Sequence, residues 1–129
     1  MSDLNKVMGN FVNNQLVVSG STRTAKVFNP ATGDVSLSVS LSTVEETQAA
    51  IASAQTAFET WSKVTPLNRA RVLFKFKALV EANSHELAEL ISSEHGKVYS
   101  DAMGELTRGL EVVEFACGIP HLQKGEHSL

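Results

Sequence analysis

Two hydrophobic periods run along this chain, one after the other. Phe11-Val12 and Leu16-Val17-Val18 flank Asn13-Asn14-Gln15, and asparagine tolerates the left-handed backbone that a tight hairpin turn demands. Lys26-Val27-Phe28 then runs into Asn29-Pro30-Ala31-Thr32-Gly33-Asp34, where proline fixes one φ and glycine offers a positive one. Beyond that turn Val35, Leu37, Val39 and Leu41 alternate with Asp34, Ser36, Ser38 and Ser40. This is the two-residue period of a half-buried strand.

The period changes at Ser42. Ser42-Thr43-Val44-Glu45 has the form of a capping box, and Val44, Thr47, Ile51, Ala54, Phe58 and Trp61 then recur at helical spacing. Thr65-Pro66 predicts a second helix, with threonine as cap and proline at the first helical position. Its expected buried face is Val72, Leu73, Phe76, Leu79 and Val80, and Arg69, Arg71, Lys75 and Lys77 form a solvated basic flank. Ser84 reads as the cap of a third helix carrying Leu87, Leu90 and Ile91, which Gly96 ends. A fourth helix is expected from about Val98 to Cys117, with Ala102, Leu106, Leu110, Val113 and Cys117 on one stripe, and Pro120 disturbs the segment after it. The pattern is an α+β chain, a β-hairpin or meander followed by about four helices. Strands precede helices without alternating, so no parallel nucleotide-binding sheet is expected from these residues alone.

Composition narrows the field. The 129 residues suit a single modest core, and 43% hydrophobic with 19% charged residues is a globular balance. A formal charge of −3 argues against nucleic acid or an anionic membrane as partner. No window approaches the ~18 apolar residues of a membrane span, and the first residues lack the apolar core of a signal peptide. One cysteine permits no internal disulfide, so a cytoplasmic protein is expected.

The candidate chemistry is sparse. Cys117 shares a stripe with Leu110 and Val113, the position of a buried structural thiol and not of an activated nucleophile. His85, His95, His121 and His127 lack ligand spacing, so no metal site is expected. No glycine-rich phosphate loop of the GxGxxG or Walker kind occurs. Gly104 and Gly109 interrupt a helical pattern at a cost of ~1 kcal/mol each relative to alanine, which predicts close packing of another segment against that helix. Arg108 lies about 200° around the helix from Leu106, away from the apolar stripe. Two readings stay open for it. It pairs on the surface with Glu105 or Glu111, three residues away on either side, or its planar fork points into a cleft and binds a carboxylate.

Several blocks in order carry a resemblance. They are the hairpin, Phe28-Asn29-Pro30-Ala31-Thr32-Gly33-Asp34-Val35, Ala49-Ala50-Ile51 to Ala57-Phe58 with Trp61, Arg69-Ala70-Arg71-Val72-Leu73, and Glu94-His95-Gly96-Lys97. Together they resemble the N-terminal segment of the NAD(P)-dependent aldehyde dehydrogenase superfamily. The stretch from Gly104 to Cys117, with Trp61-Ser62-Lys63-Val64 and Arg69-Ala70-Arg71, is similar to the CoA-acylating methylmalonate-semialdehyde dehydrogenases. The resemblance runs from about Phe11 to Gly125.

That resemblance implies that residues 1–129 form one N-terminal portion of a cofactor-binding domain, a fragment of the larger α/β fold without its parallel sheet. It implies NAD and CoA as cofactors of the complete enzyme, a semialdehyde substrate, and propionyl-CoA or acetyl-CoA as product with loss of the distal carboxylate. It places Arg108 where such enzymes carry an arginine near the substrate. The family's chain is several times longer, and its catalytic cysteine, cofactor sheet and oligomerisation strands have no counterpart here. No catalytic, cofactor-binding or metal residue is therefore expected in this chain, which by itself should be inactive and self-associating. The end at Gly125-Glu126-His127-Ser128-Leu129 reads as an interruption. An aldehyde dehydrogenase of another class and a stand-alone helical interaction module are the alternatives.

Overall fold

Val7–Met8 (β1) and Asn10–Val12 (β2) open the chain on either side of Gly9. A side chain at Gly9 would collide with the Val17 carbonyl, so the close approach of these strands requires glycine. β2 pairs antiparallel with Gln15–Val17 (β3), Val12 opposite Gln15, leaving Asn13 and Asn14 as a two-residue turn. Both asparagines have positive φ, 50° and 59°, as a turn matched to strand twist demands. Thr24–Phe28 (β4) and Val35–Ser40 (β5) form a second antiparallel pair. Between them Gly33 has φ 77°, and Asn29 Oδ1 accepts the Ala31 N–H at 2.8 Å. The structure, a computed structural model, describes residues 7–126.

β5 is the centre of a three-stranded sheet in the order β1-β5-β4. Its pairing with β1 is parallel, Val7 opposite Ser38 and Met8 opposite Val39, a contact the strand pattern does not foretell. The expected alternation holds in part. Val35 and Leu37 are half-buried, but Val39 and Leu41 are exposed.

Val44–Trp61 (α1) starts one residue later than the capping box read from sequence. Thr43, not Ser42, is the cap, and Glu46, not Glu45, closes the box. The reason is non-local: Ser42 Oγ is engaged by the Asn10 side-chain amide at 2.8 Å, 32 residues upstream. Met1–Lys63, of which residues 7–63 are described, forms one compact unit.

The second unit, Val64–Leu129, is helical over its described residues. Pro66–Ala82 (α2) starts as expected, with Thr65 Oγ1 accepting the Asn68 N–H and proline in the first turn. Asn83 separates it from Ser84–His95 (α3). Ser84 is the first helical residue and does not cap; the Asn83 amide turns back to the Leu79 carbonyl at 2.7 Å, so neither residue caps α3 with its side chain. Gly96, at φ 74°, ends α3 in the left-handed conformation that favours glycine. Tyr99–Cys117 (α4) and the short Ile119–Leu122 (α5) complete the unit, and Pro120 starts α5 instead of breaking it.

α4 packs against both α2 and α3. The contacts are made at small residues: among the described residues the buried apolar side chains are Ala70, Ala88, Ala102 and Cys117. The expected stripe of α4 faces inward, with Ala102 and Cys117 buried and Leu106, Leu110 and Val113 half-buried. The expected buried face of α2 does not form. Val72, Phe76 and Leu79 are exposed and only Leu73 and Val80 are half-covered, because alanine-sized contacts leave the larger side chains outside. The result is an α+β chain, without a closed barrel among the described residues.

Candidate functional site

The turn between α3 and α4 shapes the surroundings of Arg108, the side chain that the sequence connects with substrate binding. Gly96 reverses the chain after His95, and Lys97 then stands just outside the first turn of α4, whose cap residue Val98 offers no side-chain acceptor. The Lys97 ammonium pairs with Oε1 of Glu105, two turns into α4. Glu105 is half-buried at the rim of a groove of about 400 Å³ between the three long helices of this unit. The groove is lined by apolar side chains including Phe76, Leu87, Ile91 and Leu110, with Gly109 beside them. The hydrogen bond from Lys97 holds the Glu105 carboxyl below the usual carboxylate range, and the charges of Lys97, His95 and Arg108 act in the same direction.

Arg108 is exposed, on the side of α4 away from Leu106, as the helical spacing requires. A Cβ on Gly104 would stand 3.6 Å from Arg108 Nη1, so the guanidinium folds back over Gly104. Among the described residues Arg108 makes no salt bridge and no side-chain hydrogen bond; neither Glu105 nor Glu111 takes it. Glu105 is committed to Lys97 instead. The Lys97–Glu105 pair escapes a reading of the sequence because it spans a turn, eight positions apart, and belongs to no helical spacing.

The other polar and thiol side chains have structural surroundings. Cys117 is buried with 6% exposure, a structural thiol. His85 stacks on Tyr99 and shares a hydrogen bond with its hydroxyl. His95 lies near Glu105, His121 is in α5, and His127 lies outside the described residues. No group of three metal-ligating side chains occurs among the described residues. Of the basic flank, Arg69 donates to Gln123 at 3.2 Å and Arg71 to Asn68 at 2.9 Å. Lys77 bridges Glu81 at 2.6 Å and Glu114 at 3.8 Å, and the Glu81 hydrogen bond raises its pKa. These cations are tied to neighbours within their own helical unit.

Gly104 and Gly109 do not carry the close packing expected of them. A Cβ on Gly104 would make an ordinary contact, and one on Gly109 would meet nothing within 4 Å. Among the described residues parallel pairing is confined to Val7–Met8 against Ser38–Val39, and no glycine-rich strand-to-helix turn comes after it. Among the described residues no helix is long and apolar enough to cross a membrane.

Comparison with known proteins gives this architecture a context. Malonate-semialdehyde dehydrogenase 3 of Geobacillus kaustophilus is 49% identical over 121 residues, which is 94% of this chain and 25% of that protein. The crystal structure of a methylmalonate-semialdehyde dehydrogenase from Oceanimonas doudoroffii superposes with a TM-score of 0.91 at 50% identity, covering 95% of this chain and 25% of that one. A protein of Sinorhizobium meliloti, assigned as a methylmalonate-semialdehyde dehydrogenase and solved with NAD, gives 0.93 at 44% identity over 98% of this chain and 26% of its own. The chain thus spans about a quarter of the length of the relatives it matches. The strands, helices and turns described above correspond to the N-terminal portion of such structures. The sequence profile of the aldehyde dehydrogenase family matches residues 17–128, and the chain belongs to that family.

Proposed function

We propose that this chain is the N-terminal part of the cofactor-binding domain of an NAD-dependent, CoA-acylating semialdehyde dehydrogenase. The complete enzyme would convert malonate or methylmalonate semialdehyde to acetyl-CoA or propionyl-CoA with loss of carbon dioxide, in the cytoplasm. The observation that carries this reading is the 49% identity to a malonate-semialdehyde dehydrogenase across 94% of the chain. That level is well above the 28% and 22% shared with solved dehydrogenases acting on 3,6-anhydro-L-galactose and on benzaldehyde. NAD and CoA belong to the part of the enzyme beyond these residues.

Within this reading Arg108 binds the carboxylate of the substrate. A guanidinium presents a planar fork of donors that matches a carboxylate in two parallel hydrogen bonds. Arg108 supports the assignment by being exposed and without an ionic partner among the described residues.

The 129-residue chain by itself is then catalytically inactive. Phe115 and Val112 on α4 are 69% and 68% exposed, and Phe76 and Leu79 on α2 are also open. Large exposed apolar faces favour association, so the isolated chain self-associates, which light scattering across a concentration series would register. A clean monomer at high concentration would contradict this.

The reading frame beyond codon 129 tests the assignment. Dehydrogenase sequence with a catalytic cysteine, continuing in frame, is the expected result. A stop codon with no such sequence would leave a stand-alone module and overturn the proposal.

A further inference from the structure

We infer that Lys97 keeps Arg108 available to a substrate carboxylate by occupying Glu105, the acid that would otherwise take the guanidinium. This rests on the carboxylate-binding reading of Arg108 given above and adds a positioning residue to it.

The physical case starts from α4. Glu105 and Arg108 are three residues apart on one helix, with the acid toward the N-terminus. That order and spacing favour an ion pair. A guanidinium pairs with a carboxylate by two parallel bonds, which makes Glu105 a direct competitor for any carboxylate ligand of Arg108. Yet Glu105 is bonded to Lys97, and Arg108 folds over Gly104 instead. The charged side chains around Glu105 are Lys97, His95 and Arg108.

The placement of Lys97 is not explained by helix formation. A cation ahead of a helix N-terminus opposes the helix dipole, which favours acids there. What puts the ammonium in reach of Glu105 is the left-handed turn at Gly96, which directs the chain back along the start of α4. Lys97 and Glu105 are both half-buried, so the pair is held on a partly desolvated rim where a charged hydrogen bond is stronger than in open water. Removing the lysine would leave Glu105 with Arg108 as its nearest partner on the same helix.

The test uses the complete dehydrogenase carrying this chain, with two aldehydes: malonate semialdehyde, which has a carboxylate, and propanal, which has none. Lys97→Gln is expected to raise the KM for malonate semialdehyde roughly tenfold, the low end of what a hydrogen bond to a charged group is worth. Its kcat and its KM for propanal should stay as they were. Lys97→Gln/Glu105→Gln, with the competing acid neutralised, should return the KM for malonate semialdehyde to the parent value. Arg108→Gln is the control for the underlying reading, and thermal melts confirm that each variant folds.

If Arg108→Gln raises the KM for malonate semialdehyde but Lys97→Gln leaves it unchanged, the inference about Lys97 is overturned and Arg108 keeps its assignment. An equal rise for both aldehydes, or a double variant that is not restored, also overturns it, because the lysine would then act through structure alone. An Arg108→Gln enzyme with unchanged KM would remove the carboxylate-binding reading itself.

Discussion

Glu46 accepts the backbone N–H of Gly20 at 2.7 Å, across 26 residues of sequence, and so ties the segment after β3 to the start of α1. The same carboxylate accepts the Ser19 hydroxyl at 2.8 Å and the Thr43 N–H at 2.9 Å. One side chain therefore serves both as the return arm of a capping box and as an anchor for a loop.

The hydrogen bond from Thr43, then those from Ser19 and Gly20, hold the Glu46 carboxyl below its ordinary pKa. A carboxylate depressed in the folded state contributes stability above its unfolded pKa of about 4.3 and loses it as pH falls through the folded value. Acidification from about pH 4.3 down through the folded value should therefore weaken this bond and raise exchange at the Gly20 amide. Hydrogen exchange resolved by residue would check this. Glu46→Gln should flatten that pH dependence while leaving the helix in place.

Thr43 supplies the forward arm of the same box, its Oγ1 accepting the Glu46 N–H at 3.2 Å. Thr43→Ala should lower the stability of the first unit by about 1 kcal/mol. Chemical denaturation followed by helical circular dichroism measures it, and Ser42→Ala should cost less, because Ser42 is not the cap.

Gly109 is a helix-interior glycine with open space where a Cβ would sit. Gly109→Ala should therefore stabilise the isolated chain by about 1 kcal/mol, since only the backbone entropy of glycine is lost. Gly96→Ala should act oppositely, destabilising by about 1 kcal/mol, because φ 74° suits glycine and strains alanine. Paired thermal melts of the two variants separate these effects.

Local chemistry makes much of this fold legible in the sequence. The Asn13-Asn14 turn, the positive φ at Gly33 and Gly96, the Thr65-Pro66 start and the inward stripe of α4 each depend on a few adjacent residues. The features that escape depend on distant ones. The capping box sits one residue later because Asn10 engages Ser42. The exposed face of α2 cannot be read from periodicity, which marks a side as apolar without saying whether anything covers it. Arg108 stands out by its position opposite the apolar stripe, but its freedom from Glu105 depends on Lys97, beyond a turn that no repeat encodes.

The most direct measurement of the central claim is NADH formation from malonate semialdehyde, with and without CoA, by the complete polypeptide and by the 129-residue chain alone. The complete polypeptide should give rapid turnover that depends on CoA and yields acetyl-CoA, and the chain alone should give none. NADH formation by the chain alone, or turnover by the complete polypeptide at the same rate without CoA and with a free acid as product, would contradict it.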